Sequence, residues 1–248
     1  MNDIAFWHCA SNKPKATEFA IANVRKFHPN AHYHLCVDGQ QYNYSELVSK
    51  YSCDSFIKYK NSLGGPKQPY GYDDKGVLEF LERFYAACIM CDSSHIMMME
   101  DDVLLVNPVT VDQNWQHACH NVTNDNLMPD RMIEFIRSVS GKEPNIKRYG
   151  AGGGSIFNVE TFIKEYDNIR YIFKNHLKQI QYQFYPTVGW IDCFMNVYYF
   201  LCGHDYTVNP HLIDTNNHRP GFDYDGFLSK LDPKIQIVNN YKRLYFNE

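Results

Sequence analysis

The pattern of hydrophobic and polar positions over the first hundred residues alternates between two periods. Short apolar runs bounded by turn residues predict strands, and apolar residues at a helical spacing predict helices between them. The strands are expected at Ile4–Cys9, His32–Val37 and Ser55–Tyr59, and the helices at Lys15–Phe27, Tyr44–Tyr51 and Lys75–Cys91. Such an alternation predicts an α/β fold with a mainly parallel central sheet flanked by helices, in which ligands bind at the carboxyl ends of the strands.

The rest of the chain is less regular. The glycine- and proline-rich stretch 61–72 predicts a loop, and the Gly-rich segment 150–154 predicts a turn that runs into a strand. Further elements are expected as helices near Arg131–Val139, Thr161–Gln181 and Val188–Leu201 and as a strand at Tyr206–Val208. Because no linker separates these parts, we expect one domain over 1–248, in which 107–248 build the substrate side of a site that 1–106 share.

One apolar run is interrupted by acidic residues. The stretch from His95 to Val106 predicts a buried strand, yet it contains Glu100, Asp101 and Asp102 in succession. Burying carboxylates without a partner is costly, so a cation is expected to meet them. Hard oxygen ligands suit Mg²⁺ or Mn²⁺, and a site with few protein carboxylates leaves positions open for substrate phosphates. The alternative is a solvated turn at a strand end with no chemistry.

Composition narrows the function classes. The chain has 248 residues, 44% of them hydrophobic, which suffices for a large core. A net charge of −4, from 24 basic and 28 acidic residues, disfavours binding to nucleic acids. The sequence shows neither a signal peptide nor an apolar run long enough to span a membrane, and we therefore expect a cytoplasmic protein.

The eight cysteines are scattered singly, as expected for free thiols in a reducing compartment. Cys88 and Cys91 form a C-x-x-C pair late in a predicted helix. No second Cys or His pair accompanies them at the spacing of a zinc finger, which disfavours a metal or redox role.

Three motifs occur in an order that resembles the GT-A nucleotide-sugar glycosyltransferases. Glu100-Asp101-Asp102 stands where that superfamily has its strand-end DXD motif, although the first acid is Glu. Gly150-Ala151-Gly152-Gly153-Gly154 resembles the glycine-rich loop of fringe and core-1 galactosyltransferase relatives. Asp192, in Trp190-Ile191-Asp192, matches the acid that opens a helix, although the preceding residue is Ile instead of Glu. In these enzymes a His near the C-terminus often completes the metal shell, a role for which His218 is preferred here over His211.

The resemblance implies a metal-dependent hexosyl- or pentosyltransferase that moves a sugar from a nucleotide-diphosphate sugar, UDP-sugar first, to a hydroxyl of a glycan or other acceptor. Mn²⁺ or Mg²⁺ is the implied cofactor. The implied metal ligands are Glu100, Asp102 and His218, the implied donor-binding residues are Asp38, Arg83, Asp101, Gly152 and Gly153, and the implied catalytic base is Asp192. Inversion with Asp192 as base is the preferred mechanism, while retention, which needs no such base, stays open.

Other interpretations remain at this point. Gly150 to Gly154 would also suit a plain loop. Asp192 would also serve only as a favourable charge at the start of a helix, and either histidine would also suit an ordinary surface position. A non-catalytic GT-A-like relative that binds carbohydrate would keep the fold without turnover. A sugar-phosphate nucleotidyltransferase should have a Gly-rich loop after the first strand, but Ser11–Lys15 contains no glycine. A metal-dependent phosphohydrolase is disfavoured because a second acidic cluster is lacking.

Overall fold

The computed structural model describes residues 3–10, 13–38, 42–59, 74–119, 127–148, 152–184, 191–215 and 221–243. Strands and helices alternate through the first half and are more scattered in the second. The strands are β1 Ile4–Ala10, β2 Tyr33–Asp38, β3 Ser55–Tyr59, β4 His95–Met99, β5 Leu104–Leu105, β6 His117–Cys119, β7 Ile156–Asn158, β8 Thr207–Val208, β9 Leu212–Asp214 and β10 Ile237–Asn239. The helices are α1 Pro14–Phe27, α2 Ser45–Lys50, α3 Asp74–Met90, α4 Asp130–Ser140, α5 Val159–Phe184, α6 Ile191–Leu201 and α7 Tyr224–Leu228.

A seven-stranded central sheet has the order β3-β2-β1-β4-β7-β6-β8. Its first four strands are parallel, whereas β7 runs antiparallel to both of its neighbours. The carboxyl ends of β1, β2, β3 and β4 therefore share one edge of the sheet. The α/β class and the central sheet flanked by helices are confirmed, and the parallel arrangement holds for the strands of the first half.

Both faces of this sheet are covered. All five residues of β4 are buried, which explains why its sequence is a continuous apolar run instead of an alternating one. On one face α3, α4, α5 and α6 pack over Trp7, Met98 and Phe157. On the other face α1 packs its stripe of Ala20, Ile21 and Val24 against the sheet. The edge of the sheet at which the three acids follow β4, called the acidic edge below, thus lies between two apolar layers.

A second, three-stranded sheet in the order β5-β10-β9 lies beside the end of β4. The strand β10 pairs antiparallel with β5 and parallel with β9. The sequence pattern predicted one apolar strand from His95 to Val106, and this is wrong. The chain leaves the central sheet after Met99, turns through the three acids and joins the second sheet at Leu104.

The other predicted elements of the described ranges are confirmed within a few residues, including the helix that ends at Leu201, two residues before Gly203 with its positive φ. The predicted loop 61–72 lies outside the described residues. The sequence pattern did not predict β6, β9, α7 and β10, because their apolar segments are too short to show a period.

The described cysteines are free thiols, Cys88 and Cys91 among them, as predicted. Burial raises the pKa of the Cys88 thiol well above its ordinary value, so this thiol stays protonated and unreactive. Within the described ranges, no helix combines the length and hydrophobicity that a bilayer crossing requires.

Gly154 is expected to be essential for the packing of the two sheets. Its φ is +83°, and a Cβ added there would lie 3.0 Å from Cδ1 of Leu212 in β9. We expect Gly154→Ala to lower the free energy of unfolding by about 2–4 kcal/mol, measured by urea denaturation, because backbone strain adds to overpacking. Gly141→Ala is the matched control, since φ is +72° with nothing within 4 Å, and it should cost only about 1 kcal/mol. Equal losses in the two variants would contradict the packing argument.

Candidate functional site

The three acids form a turn at the carboxyl end of β4. The backbone N–H of Val103 donates to the carbonyl of Glu100 at 3.1 Å, which closes the turn. Glu100 is half-buried, whereas Asp101 and Asp102 are only 8% and 7% exposed. The alternative of a solvated turn is therefore wrong for the two aspartates, and each of them requires a compensating partner.

Asp101 is held by side chains from β1 and α1. Its Oδ1 accepts hydrogen bonds from Nε2 of His8 at 3.0 Å and from Oγ1 of Thr17 at 2.7 Å. His8 is completely buried, and its Nδ1 lies 2.6 Å from the hydroxyl of Tyr33. When Nε2 of His8 carries a proton that it donates to Asp101, Nδ1 accepts a hydrogen bond from the hydroxyl of Tyr33. Burial raises the pKa of Tyr33, which keeps that hydroxyl a donor. The network fixes the acidic turn to the sheet.

Asp102 lies on the other side of the turn, facing the second sheet. Its Oδ2 is 3.4 Å from Nζ of Lys242, and its backbone carbonyl accepts a hydrogen bond from the N–H of Tyr241 at 2.7 Å. Burial raises the pKa of Asp102, Lys242 opposes that shift, and the neighbouring Asp101 and Asp214 add to it. A cation near Asp102 would relieve this accumulation of negative charge.

Asp214, at the end of β9, was missed by the sequence analysis together with its partners. It is buried, and its Oδ2 accepts hydrogen bonds from the side-chain amides of Asn239 at 3.0 Å and Asn240 at 2.6 Å. Asn240 has a φ of +59°, and this left-handed turn redirects the chain after β10 so that Lys242 reaches Asp102. A signal existed in the sequence: His-Leu-Ile-Asp and Gln-Ile-Val-Asn-Asn are short apolar runs that end in polar residues, like β4.

The glycine segment packs beside the acidic turn. The N–H of Gly154 donates to the carbonyl of Met98 at 2.8 Å, two residues before the first acid. Gly152 and Gly153 are buried, and a Cβ at Gly153 would lie 2.6 Å from Oδ1 of Asn239. Among the described residues, the backbone of the glycine segment therefore lies close to the second sheet, which a side chain would prevent.

Two of the predicted donor-binding residues lie at or near β2. Asp38 is the last residue of β2, and its backbone lies at the same sheet edge as the acidic turn, while its side chain lies outside the described residues. Arg83 is buried on α3, with Nη1 at 3.7 Å from Sγ of Cys36 and Nη2 at 3.6 Å from Oε2 of Glu79. Its guanidinium therefore lies next to β2, two residues before that strand ends.

Of the predicted base and the two candidate histidines, His211 is the one whose side chain the structure describes. Asp192 is the second residue of α6, and its side chain lies outside the described residues, as does the whole of His218. His211 precedes β9, and its Nδ1 lies 2.9 Å from the carbonyl of Lys234. Because Asp214 is at the other end of that strand, the structure does not bring His211 to Asp102.

The donor set fits a hard divalent cation in its chemistry, since carboxylate oxygens dominate. In the part of the chain that the structure describes, no three His, Cys, Asp or Glu side chains group closely enough to hold a metal ion. A metal on Asp102 would need its remaining ligands from outside those ranges, such as His218, or from substrate and water.

A separate cavity of about 590 Å³ lies between α4, α5 and α6. Its lining includes Phe135, Tyr171, His176 and Leu201. None of the predicted site residues is part of that lining, so it is distinct from the acidic edge.

The whole fold is similar to that of a known enzyme. A crystal structure of galactosyltransferase LgtC in complex with donor and acceptor sugar analogues superimposes with a TM-score of 0.53, over 94% of this chain and 86% of that one. The chain has a GT-A-like fold. At 12% identity the likeness establishes the fold and nothing finer about the GT-A-like protein. No family model matches the sequence, and no curated protein matches it.

Proposed function

We propose that this GT-A-like protein is a metal-dependent glycosyltransferase that moves a sugar from a nucleotide-diphosphate sugar, UDP-sugar first, to a hydroxyl acceptor. The observation that carries the proposal is the buried Asp102 at the carboxyl edge of the sheet, with Asp101 and Asp214 adding negative charge beside it. Such an edge is where open α/β sheets bind their ligands. The structural neighbour was crystallised with donor and acceptor sugar analogues, and we infer the same two ligand classes here.

The metal would be held by Asp102 and Glu100, with His218 as the third protein ligand. When bound, Mn²⁺ or Mg²⁺ would supply positive charge to the diphosphate leaving group. Asp101 is assigned to the donor side of the site. Its hydrogen bonds to His8 and Thr17 would hold the acidic turn in the position that ligand binding requires.

The remaining donor contacts are assigned to β2, α3 and the glycine segment, chiefly within residues 1–106. Asp38 would accept hydrogen bonds from the base, and Arg83 would face the nucleotide from its position beside β2. The backbone of Gly152 and Gly153 is assigned to border the sugar.

Residues 107–248 would hold the acceptor and the base. In the inverting mechanism that we prefer, Asp192 removes the proton from the acceptor hydroxyl as that oxygen attacks the anomeric carbon from the side opposite the leaving diphosphate. The free cysteines suit a reducing compartment, and we propose the cytoplasm.

A screen of nucleotide sugars for hydrolysis, with Mn²⁺ or with EDTA, tests the proposal. We expect one UDP-sugar to be hydrolysed in Mn²⁺ and not in EDTA, and calorimetric titration of UDP to show binding only with the metal. Binding without turnover on any sugar or acceptor would favour a carbohydrate-binding relative instead. Release of pyrophosphate from a sugar-1-phosphate and a nucleoside triphosphate would favour a nucleotidyltransferase.

A further inference from the structure

The segment after β10 crosses the acidic turn and brings a positive charge to it. Tyr241 donates its backbone N–H to the carbonyl of Asp102, and the next residue, Lys242, has its Nζ 3.4 Å from Oδ2 of the same aspartate. The Asp102 side chain is 9% exposed and that of Lys242 is 22% exposed. The two charges therefore face each other largely away from water.

The position of Lys242 is fixed by the fold. The carbonyl of Asn239 accepts from the N–H of Thr215 at 3.1 Å, the carbonyl of Asn240 accepts from the hydroxyl of Thr215 at 2.9 Å, and the N–H of Lys242 donates to the hydroxyl of Tyr224 at 2.9 Å. Tyr224 also packs edge-on against Tyr241, with ring centroids 4.8 Å apart. With its backbone anchored on both sides, the lysine presents its ammonium to the carboxylate without needing a ligand.

We infer that Lys242 is a built-in competitor of the divalent cation at Asp102: the ammonium faces Oδ2 of this carboxylate, and a metal ion binds at that oxygen only when the ammonium withdraws. The inference rests on the proposed function, because it takes Asp102 as a metal ligand. Its physical basis is that an ammonium 3.4 Å from the carboxylate already compensates the charge that would attract a metal ion and repels a second cation arriving at the same oxygen.

Lys242 thereby has a role that a purely structural ion pair would not have. While the ammonium is in place, the carboxylate is compensated and the site is not competent for metal. Apparent affinity falls in proportion to the fraction of molecules in which the competent arrangement is populated. If that fraction is about a tenth to a third, removal of the lysine raises the affinity for Mn²⁺ by about three- to tenfold.

The experiment is a titration of the full chain with Mn²⁺ alone at pH 8, followed by electron paramagnetic resonance of the free ion. We expect Lys242→Met to bind Mn²⁺ about three- to tenfold more tightly than the parent protein. Lys242→Arg should stay within about twofold of the parent, because the cation is retained. If Lys242→Met does not fold, Lys242→Gln provides the same comparison.

Arg243→Gln is the matched control for the general electrostatic field. Arg243 is the neighbouring cation on the same segment, but it pairs with Asp225 instead of Asp102. We expect this variant to change the affinity for Mn²⁺ by less than about twofold. An equal gain in Arg243→Gln and Lys242→Met would overturn direct competition, as would unchanged or weaker binding in Lys242→Met.

The failure of this inference is distinguishable from that of the proposed function. If the parent binds Mn²⁺ and Asp102→Asn abolishes that binding while Lys242→Met leaves it unchanged, only the competition is wrong. If neither the parent nor Lys242→Met binds Mn²⁺, the metal-dependent function and the competition are both overturned.

Discussion

Asp102→Asn is expected to abolish Mn²⁺-dependent binding of UDP, with a loss of at least about a hundredfold in affinity. An amide oxygen is a neutral and weaker ligand than a carboxylate. Changes at groups that only support metal ligands already cost about 10- to 100-fold, and the loss of a ligand should exceed that range. A hundredfold loss corresponds to about 2.7 kcal/mol of binding free energy. Calorimetric titration of UDP in Mn²⁺ measures it.

The fold should survive this substitution. Burial raises the pKa of Asp102, so a neutral group of the same shape avoids part of the cost of burying the charge. Lys242 loses its carboxylate, but its partly exposed side chain can reach water. Asp167→Asn, an exposed position on α5, is the control and should bind UDP as the parent does. Parental affinity in Asp102→Asn would show that the metal assignment is wrong.

Asp192→Asn is expected to separate catalysis from donor binding. Loss of a general base typically costs about 10²- to 10⁴-fold in rate, and sugar transfer to the acceptor should fall by that amount. The affinity for UDP should stay nearly unchanged, because in the proposed mechanism Asp192 acts on the acceptor. The first turn of α6 lies at the positive end of the helix dipole, so the base that we propose there would be a modest one. Transfer rates with saturating donor, together with UDP titrations, measure the two effects.

Two contrary outcomes have different meanings. Transfer at the parental rate would make Asp192 structural and would favour a retaining mechanism, which needs no such base. Joint loss of transfer and UDP binding would place the residue in the donor site or in the fold. Asp167→Asn again serves as the exposed control, with both quantities expected at parental values.

Local sequence was enough to predict the elements from β1 to α3. The alternating periods of β1, α1, β2 and α3 reflect burial on one helix face or on both strand faces, and the spacing of neighbouring apolar residues shows this burial directly. The acidic turn was also evident, because three carboxylates after a buried apolar run are unusual. The sequence did not predict that the apolar segments before and after this turn belong to two different sheets. The local sequence of a strand does not show which strand it pairs with.

The residues around the candidate site were likewise only partly predictable from the sequence. The sequence by itself determined the chemistry at the end of β4 and the order of motifs that resembles the GT-A enzymes. Only the tertiary structure decided that His8 and Thr17 hold Asp101, that Asp214 adds its charge, and that Lys242 faces Asp102. Those residues are separated from the acidic turn by about 80 to 140 positions along the chain. Their contacts arise from strand order and from one left-handed turn at Asn240, and neither is encoded in the spacing of hydrophobic residues.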